Sequence, residues 1–102
     1  EGNCYGGVPV LSGTELDVAL ADLTGWDYAA DAKLIHKRFE FKGFYKTMAF
    51  VNAVAWIANE KGHHPDMQIG YNYAQINWQT HAVGGVTETD IVCAKLVEQL
   101  LG

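Results

Sequence analysis

Three of the four histidines of this 102-residue chain lie in one stretch between Asn59 and Asp90. His63 and His64 are neighbours, and His81 follows a segment that alternates like a β-strand. Imidazole can both donate and accept a proton near neutral pH. Several imidazoles in different protonation states would therefore suit general acid and base catalysis. The alternative interpretation is a solvated His-His loop with an unrelated histidine at the end of a strand.

The predicted elements bring these histidines towards one another. Gly62 is predicted to end a long helix, so His63 and His64 lie just past its C-terminus. Pro65 restricts the backbone of His64 to an extended conformation, and the two neighbouring rings can then point to two sides of one small cleft. His81 joins them if its hairpin packs near the end of the helix. We therefore predict that the three imidazoles line one cleft.

A zinc site is the alternative for the same side chains, because three histidines with an open position form a catalytic zinc site. The sequence lacks a His-x-x-x-His pair at helical spacing, and neighbouring residues seldom ligate one ion well. Cys4 and Cys93 are too few and too far apart for a disulfide framework or a thiolate zinc site. We predict a site without metal or organic cofactor, and keep a zinc hydrolase as the weaker alternative.

Other candidate site residues each have a purely structural interpretation. Asp90 is the N3 residue of a capping box that Thr87 begins, and a helix N-terminus favours its charge. Trp26 is more often a core residue than a platform for a ligand. Glu60 is more often a solvated carboxylate at a helix end, although it is close enough in sequence to His63 for an ion pair.

Hydrophobic periodicity divides the rest of the chain into helices and strands. The predicted elements are a helix over 13–23, strands over 26–30 and 33–41, a helix over 44–61, a hairpin of strands near 68–71 and 74–80, and a helix from 87. The order α-β-β-α-β-β-α predicts an α+β fold, with three helices packed on one face of a four-stranded antiparallel sheet.

Local signals mark the ends of several elements. Ser12 and Glu15 have the spacing of a capping box at the start of the first helix. Asn72 and Tyr73 form a plausible tight turn in the hairpin. His36 falls on the polar face of its strand, and we expect no role for it.

Composition and charge exclude several functions. The length indicates one domain over 12–102 after a glycine-rich N-terminal tail over 1–11. The net charge of −5 argues against direct binding of nucleic acid, which needs clustered lysine and arginine. No apolar run is long enough to span a membrane, and no segment resembles a signal peptide. We expect a cytoplasmic protein.

The helix predicted over 44–61 is apolar around most of its circumference, with Asn52 the only polar residue from Met48 to Ala58. A sheet can bury only one side of such a helix, and an uncovered Phe50 or Trp56 would leave a large exposed patch. We therefore predict a homo-oligomer, a dimer or a tetramer.

An ordered set of short motifs runs from the first helix to the last. Its most specific members are His63-His64-Pro65, Tyr71-Asn72, Thr80-His81, Gly84-Gly85 and Thr87-x-x-Asp90, with Trp26 and Phe39-x-Phe41-Lys42-x-Phe44 before them. In this set the chain resembles the pterin-4a-carbinolamine dehydratases over residues 12–101. The family usually has an acidic residue four positions before the first histidine, where this chain has Asn59, with Glu60 beside it.

The resemblance implies dehydration of 4a-hydroxytetrahydropterin to quinonoid dihydropterin, a step in the recycling of tetrahydrobiopterin. It implies His63, His64 and His81 as catalytic residues. It also implies substrate contacts from a wider set of side chains: Trp26, Glu60, Gly62, Thr80 and Asp90. The resemblance also implies a second possible role, because some family members also act as dimerisation cofactors for a transcription factor. A non-catalytic adaptor is therefore the alternative function.

Overall fold

The computed structural model describes residues 9–101. Its elements follow the predicted order: helix α1 (Gly13–Ala21), strands β1 (Asp27–Ala29) and β2 (Leu34–Glu40), helix α2 (Phe44–Lys61), strands β3 (Asp66–Ile69) and β4 (Tyr73–Trp78), a 3₁₀ turn (His81–Val83) and helix α3 (Glu88–Gln99). The four strands form one sheet in which all neighbours are antiparallel. The predicted α+β fold is therefore confirmed.

The strand order is β1-β2-β4-β3, so β4 lies in the interior of the sheet although it is the last strand of the chain. Ile35 of β2 pairs with Trp78 of β4, and Met67 of β3 pairs with Ile76. Residues that pair directly point to the same side of a sheet. The register thus gathers the apolar side chains of β2, β3 and β4 on one face.

The hydrophobic core lies between that face and the helices. The sheet contributes the fully buried Ile35, Ile76 and Trp78 to this core. The helices contribute the fully buried Val54 of α2 and Val97 of α3. The opposite face of the sheet carries polar side chains. This division is the half-buried alternation expected for an antiparallel sheet with helices on one side.

Helix α2 buries one stripe and exposes the rest. Thr47, Phe50, Val51, Val54 and Ile57 are buried. On the outer side, Tyr45 is 86 % exposed and Trp56 is 64 % exposed. These exposures agree with the prediction that a single chain leaves part of the apolar surface of α2 uncovered. The predicted oligomer stays a prediction.

Two local predictions were wrong. The side chain of Ser12 makes no capping hydrogen bond to α1, so the predicted capping box is absent although the helix begins where expected. The hairpin turn lies earlier than predicted, because Tyr73 already belongs to β4 and its carbonyl accepts a hydrogen bond from the Gly70 N–H at 2.9 Å. The turn therefore consists of 70–72 rather than of Asn72 and Tyr73.

Of the tail predicted over 1–11, residues 1–8 lie outside the described part of the chain. Val10 forms a β-bridge with Thr87, and the Leu11 N–H donates to the Val86 carbonyl at 2.7 Å. These contacts join the start of the domain to the segment that precedes α3. Among residues 9–101, no helix has the length and apolar character needed to cross a membrane.

Candidate active site

The end of α2 fixes the backbone of His63. Gly62 adopts a left-handed conformation with φ of 63°, which glycine reaches without the steric cost that a side chain adds. The N–H of Gly62 then donates to the Asn59 carbonyl, and the N–H of His63 donates to the Ala58 carbonyl at 3.1 Å. These bonds are the Schellman pattern of a helix end. His63 is thus held by the last turn of the helix, as predicted from Gly62.

Asp90 is the partner of the His63 imidazole. Its Oδ1 lies 2.6 Å from His63 Nε2, and both side chains are buried. A carboxylate accepts the Nε2 proton and so selects one tautomer and one orientation of the ring. The pair joins the end of α2 to the start of α3.

The second oxygen of Asp90 is also engaged. Oδ2 accepts the backbone N–H of Thr87 at 2.9 Å and the Thr80 hydroxyl at 2.8 Å. The contact to Thr87 belongs to the predicted capping box, which is present. The structural and functional interpretations of Asp90 therefore do not compete, because one oxygen caps α3 while the other holds His63.

Trp78 packs beside one face of the His63 ring. The two ring centroids are 5.6 Å apart and their planes differ by 18°. Trp78 is fully buried on the helix-facing side of β4. His63 is therefore fixed by a hydrogen bond at its edge and by an aromatic ring against its face.

His64 and His81 form a second, exposed group. Their ring centroids lie 6.1 Å apart with an angle of 28° between the planes. Nε2 of His81 lies 3.9 Å from Asp66 Oδ2, and more than half of each of these side chains is exposed. The structure thus brings His81 beside His64, where both rings can contact a ligand and exchange protons with water.

A short closed turn presents His81. The backbone of Thr80 pairs with Gly85, and the N–H groups of Val83 and Gly84 donate to the Thr80 carbonyl. Because Thr80 is buried at the base of this turn, the next residue, His81, emerges at the surface. The strand end predicted for His81 is in fact the first residue of a 3₁₀ turn.

A cleft of about 420 Å³ lies at the end of α2, within the size range of small-molecule sites. Of the three histidines predicted to line one cleft, His63 and His64 line it and His81 does not. His63 and His64 form one side of it, and Ala55, Ala58 and Met67 form an apolar side. Gly62, one of the predicted substrate contacts, also lines the cleft. In residues 9–101, no group of three or more His, Cys, Asp or Glu side chains is arranged to hold a metal ion.

The site thus combines a buried His-Asp pair with two exposed histidines. The family model described as "Pterin 4 alpha carbinolamine dehydratase" matches residues 9–100. The chain belongs to this family.

Relatives in this pterin-4-alpha-carbinolamine dehydratase family are similar over nearly their whole length. A Nitrosospira multiformis protein is 47 % identical over 97 residues, which is 95 % of this chain and 84 % of the relative. A Legionella pneumophila protein is 44 % identical over 100 residues, covering 97 % of this chain and 88 % of the relative. Both are named "Putative pterin-4-alpha-carbinolamine dehydratase".

Two solved structures share the fold. A "transcriptional coactivator/pterin dehydratase" from Brucella melitensis superimposes with a TM-score of 0.88 at 32 % identity, covering 92 % of this chain and all of the other. A "pterin dehydratase-like protein", described as a RuBisCO assembly factor in the alpha-carboxysome, gives a TM-score of 0.65 at 29 % identity, covering 76 % of this chain and 90 % of the other. The fold of the family is therefore found in proteins with differently described roles.

Two of the predicted substrate contacts, Trp26 and Glu60, do not line the cleft. Trp26 is only 5 % exposed, packs edge-on against Phe39 and donates its Nε1–H to Glu98 Oε2 at 2.8 Å. Its ring is part of the core of this subunit, so it offers no open face to a flat ligand. Glu60 is exposed at the end of α2, and the carboxylate that lies at His63 Nε2 is that of Asp90.

The departure from the family pattern at Asn59 leaves the orientation of His63 intact. Asn59 lines the cleft and accepts the Gly62 N–H with its backbone carbonyl. The carboxylate that orients His63 comes from Asp90, on another helix. Neither Asn59 nor Glu60 is needed for that contact.

Sequence reasoning missed several residues around the site. Ala55, Ala58 and Met67 were not predicted to line a cleft, and Trp78 was not predicted to pack against a histidine. Their types are those of ordinary core residues, so composition alone gives no signal. The alternation along 74–80 indicates that Trp78 and Thr80 face the same way, and both are buried. Thr80 therefore contacts Asp90 and does not lie at an exposed surface.

Proposed function

We propose that this protein dehydrates 4a-hydroxytetrahydropterin to quinonoid dihydropterin, in the recycling of tetrahydrobiopterin. The observation that carries the proposal is the contact between the exposed His64 and His81 rings, next to a cleft that His63 and His64 line. Membership of the dehydratase family supports the choice of substrate.

The reaction needs two proton movements. The bond between C4a and the hydroxyl oxygen breaks, the oxygen takes up a proton and leaves as water, and a ring nitrogen loses a proton. Atoms and charge balance without an oxidant or a reductant. An imidazolium can supply the first proton and a neutral imidazole can accept the second, so this chemistry is within the capacity of histidine.

We assign different roles to the buried and the exposed histidines. His64 and His81 are exposed, so they can exchange protons with the substrate and recover them from water between turnovers. His63 is held by Asp90 and Trp78 and forms a fixed wall against which the pterin is oriented. Fixed orientation of a reactant contributes to the rate separately from proton transfer.

The direct test is a dehydration assay with freshly generated 4a-hydroxytetrahydropterin. We expect activity in the unmodified protein, and a decrease of roughly 10²-fold or more in His64→Ala and in His81→Ala, the usual scale for a positioned acid or base. His36→Ala is the matched control, because His36 lies in β2 and does not line the cleft. Activity within a few-fold of the unmodified protein in both site variants would contradict the catalytic proposal.

The proposed site contains no metal, and this part of the proposal has its own test. We expect less than stoichiometric zinc in protein purified without added metal, and unchanged activity after treatment with a chelator. Stoichiometric zinc together with activity lost on chelation would favour the zinc hydrolase alternative.

An adaptor for another protein, such as a dimerisation cofactor for a transcription factor, is the second candidate function. The exposed aromatic side chains of α2, including Tyr45 and Trp56, favour it. The described roles of the two structural relatives are consistent with it. An absence of dehydration activity in a folded protein that still binds a partner through α2 would support the adaptor over the enzyme.

A further inference from the structure

The hydroxyl of Thr80 lies between two other polar groups. Its Oγ1 is 2.8 Å from Asp90 Oδ2 and 2.8 Å from Thr87 Oγ1. Thr80, Thr87 and Asp90 are all fully buried. These distances describe a buried hydrogen-bond network that includes Asp90, the partner of His63.

The number of available protons decides which group donates in each hydrogen bond of this network. An ionised carboxylate only accepts hydrogen bonds, and a hydroxyl has a single proton to donate. If Thr80 gives its proton to Asp90 Oδ2, then the hydroxyl of Thr87 must donate to Thr80. The chain of donors therefore runs from Thr87 through Thr80 to Asp90, and it ends at the carboxylate that accepts the His63 Nε2–H.

We propose that Thr80 is a positioning residue that acts on His63 through Asp90. The Cβ–Cγ torsion of an aspartate has a broad preference, so a carboxylate needs several donors to fix its plane. Thr87 N–H and Thr80 O–H together hold Oδ2, and this leaves Oδ1 directed at His63 Nε2. Removing the Thr80 donor lets the carboxylate turn and weakens its selection of one His63 tautomer.

Two substitutions at Thr80 and one elsewhere separate this effect from simple loss of packing. Thr80→Val keeps the shape and removes the hydroxyl, whereas Thr80→Ser keeps the hydroxyl. Thr47→Val is the matched control: Thr47 is also fully buried, and its hydroxyl donates to the Gly43 carbonyl at the other end of α2. All three variants are compared with the unmodified protein.

The first readout is the ¹⁵N chemical shifts of the histidine ring nitrogens, with the His63 signals assigned by their loss in His63→Gln. We expect one dominant tautomer of His63 in the unmodified protein, in Thr80→Ser and in Thr47→Val, and a shift towards mixed tautomers in Thr80→Val. Unchanged His63 signals in Thr80→Val, or the same change in Thr47→Val, would overturn the proposal.

The second readout is dehydration, and this arm rests on the proposed function. We expect kcat to fall by about tenfold in Thr80→Val, comparable to loss of a hydrogen-bond partner behind a metal-bound histidine, and to stay within about twofold in Thr80→Ser. Equal losses of kcat in Thr80→Val and Thr47→Val would overturn it. Because the NMR readout needs no substrate, an inactive unmodified protein removes the proposed function and leaves the positioning role testable.

A further pair of variants covers the case in which Thr80→Val does not fold. Thr80→Cys and Thr80→Ser introduce side chains of similar size, but the thiol is a weaker hydrogen-bond donor than the hydroxyl. We expect mixed His63 tautomers with cysteine and one dominant tautomer with serine. Identical His63 signals in these two variants would overturn the proposal.

Discussion

The imidazole of His63 lies nearly parallel to the indole of Trp78, with 5.6 Å between the ring centroids and 18° between the planes. In the described part of the chain, the buried Nε1 of Trp78 has no hydrogen-bond partner. Trp78 therefore acts on His63 through its ring face and its bulk, and not through its N–H group.

This contact predicts a difference between two replacements of Trp78. Phenylalanine keeps an aromatic face and loses no hydrogen bond, whereas leucine removes the face. We expect Trp78→Leu to lower the free energy of unfolding by about 2–4 kcal/mol, since it leaves a cavity in a fully buried site. Trp78→Phe should cost less and retain more dehydration activity. Chemical denaturation and the dehydration assay check both, and equal activity in the two variants would contradict a role for the ring face.

Replacing Asp90 by asparagine tests the joint role of that carboxylate. We expect Asp90→Asn to lower dehydration by at least about tenfold, because the amide no longer offers two acceptor oxygens to His63, Thr80 and Thr87. Stability should fall as well, by about 1–3 kcal/mol, because buried donors lose their acceptor. Asp17→Asn in the exposed part of α1 is the control and should change neither quantity. Retention of full activity and full stability in Asp90→Asn would show that the carboxylate is dispensable.

The exposed aromatic surface of α2 predicts self-assembly. Light scattering behind a sizing column, at micromolar protein, should give two to four times the mass of a single 11.2 kDa chain. Trp56→Lys should shift the protein to a smaller species, because a charge then lies in the apolar surface that pairing buries. Val18→Lys is a matched control, since Val18 of α1 is 63 % exposed and Trp56 is 64 % exposed. A single-chain mass for the unmodified protein, held across dilution, would mean that α2 is not covered by other copies.

Cys93 predicts a pH dependence of stability. Burial, together with the negative charge of Asp90, raises the pKa of the Cys93 thiol from an ordinary 9.0 to about 12, and Lys61 opposes this shift. Between these pH values the unfolded chain releases the thiol proton while the folded protein keeps it. The contribution of this group to stability is therefore complete below about pH 9 and is lost as the pH rises towards 12.

The measurement is the free energy of unfolding of the unmodified protein and of Cys93→Ala at several pH values in that range. Lysine and tyrosine side chains also titrate there, so the difference between the two proteins isolates the thiol. We expect a smaller decrease with pH in Cys93→Ala. In the unmodified protein at neutral pH, Cys93 should react with thiol reagents only after unfolding, as followed by mass spectrometry of its peptide. Rapid labelling of Cys93 in the folded state would contradict its burial.

Sequence periodicity predicted the fold well because each long element has its own repeat. The alternation of Ala74, Ile76 and Trp78 fixed the buried face of β4, and Gly62 fixed the end of α2. The hairpin turn was misplaced because Gly70 and Asn72 are both good turn residues. Only the pairing of Ile69 with Ala74 decides between them, and that pairing is a tertiary property.

The site was predicted less completely, for a physical reason. The types of His63, His64 and His81 indicate proton transfer by themselves, but the partner of each ring depends on elements that meet only in the folded chain. Asp90 is 27 positions from His63, and both Glu60 and Asn59 are nearer in sequence. Trp26 was expected at the ligand, yet its hydrogen bond to Glu98 keeps it in the core.

Both oxygens of Asp90 accept hydrogen bonds, one at His63 and the other at the start of α3. This affects how relatives of this protein can be compared. A descendant that gave up catalysis would still need Asp90 to begin α3, and Thr80 to satisfy the carboxylate, so selection for folding alone would retain both. His64 and His81 have no comparable structural duty, because they are exposed and their removal leaves no buried group without a partner. Under the proposed function, a relative that kept Asp90 but lacked the two exposed histidines would retain the fold without the dehydration activity. The proposal therefore makes the exposed pair, rather than the buried carboxylate, the feature to test when relatives are compared for activity.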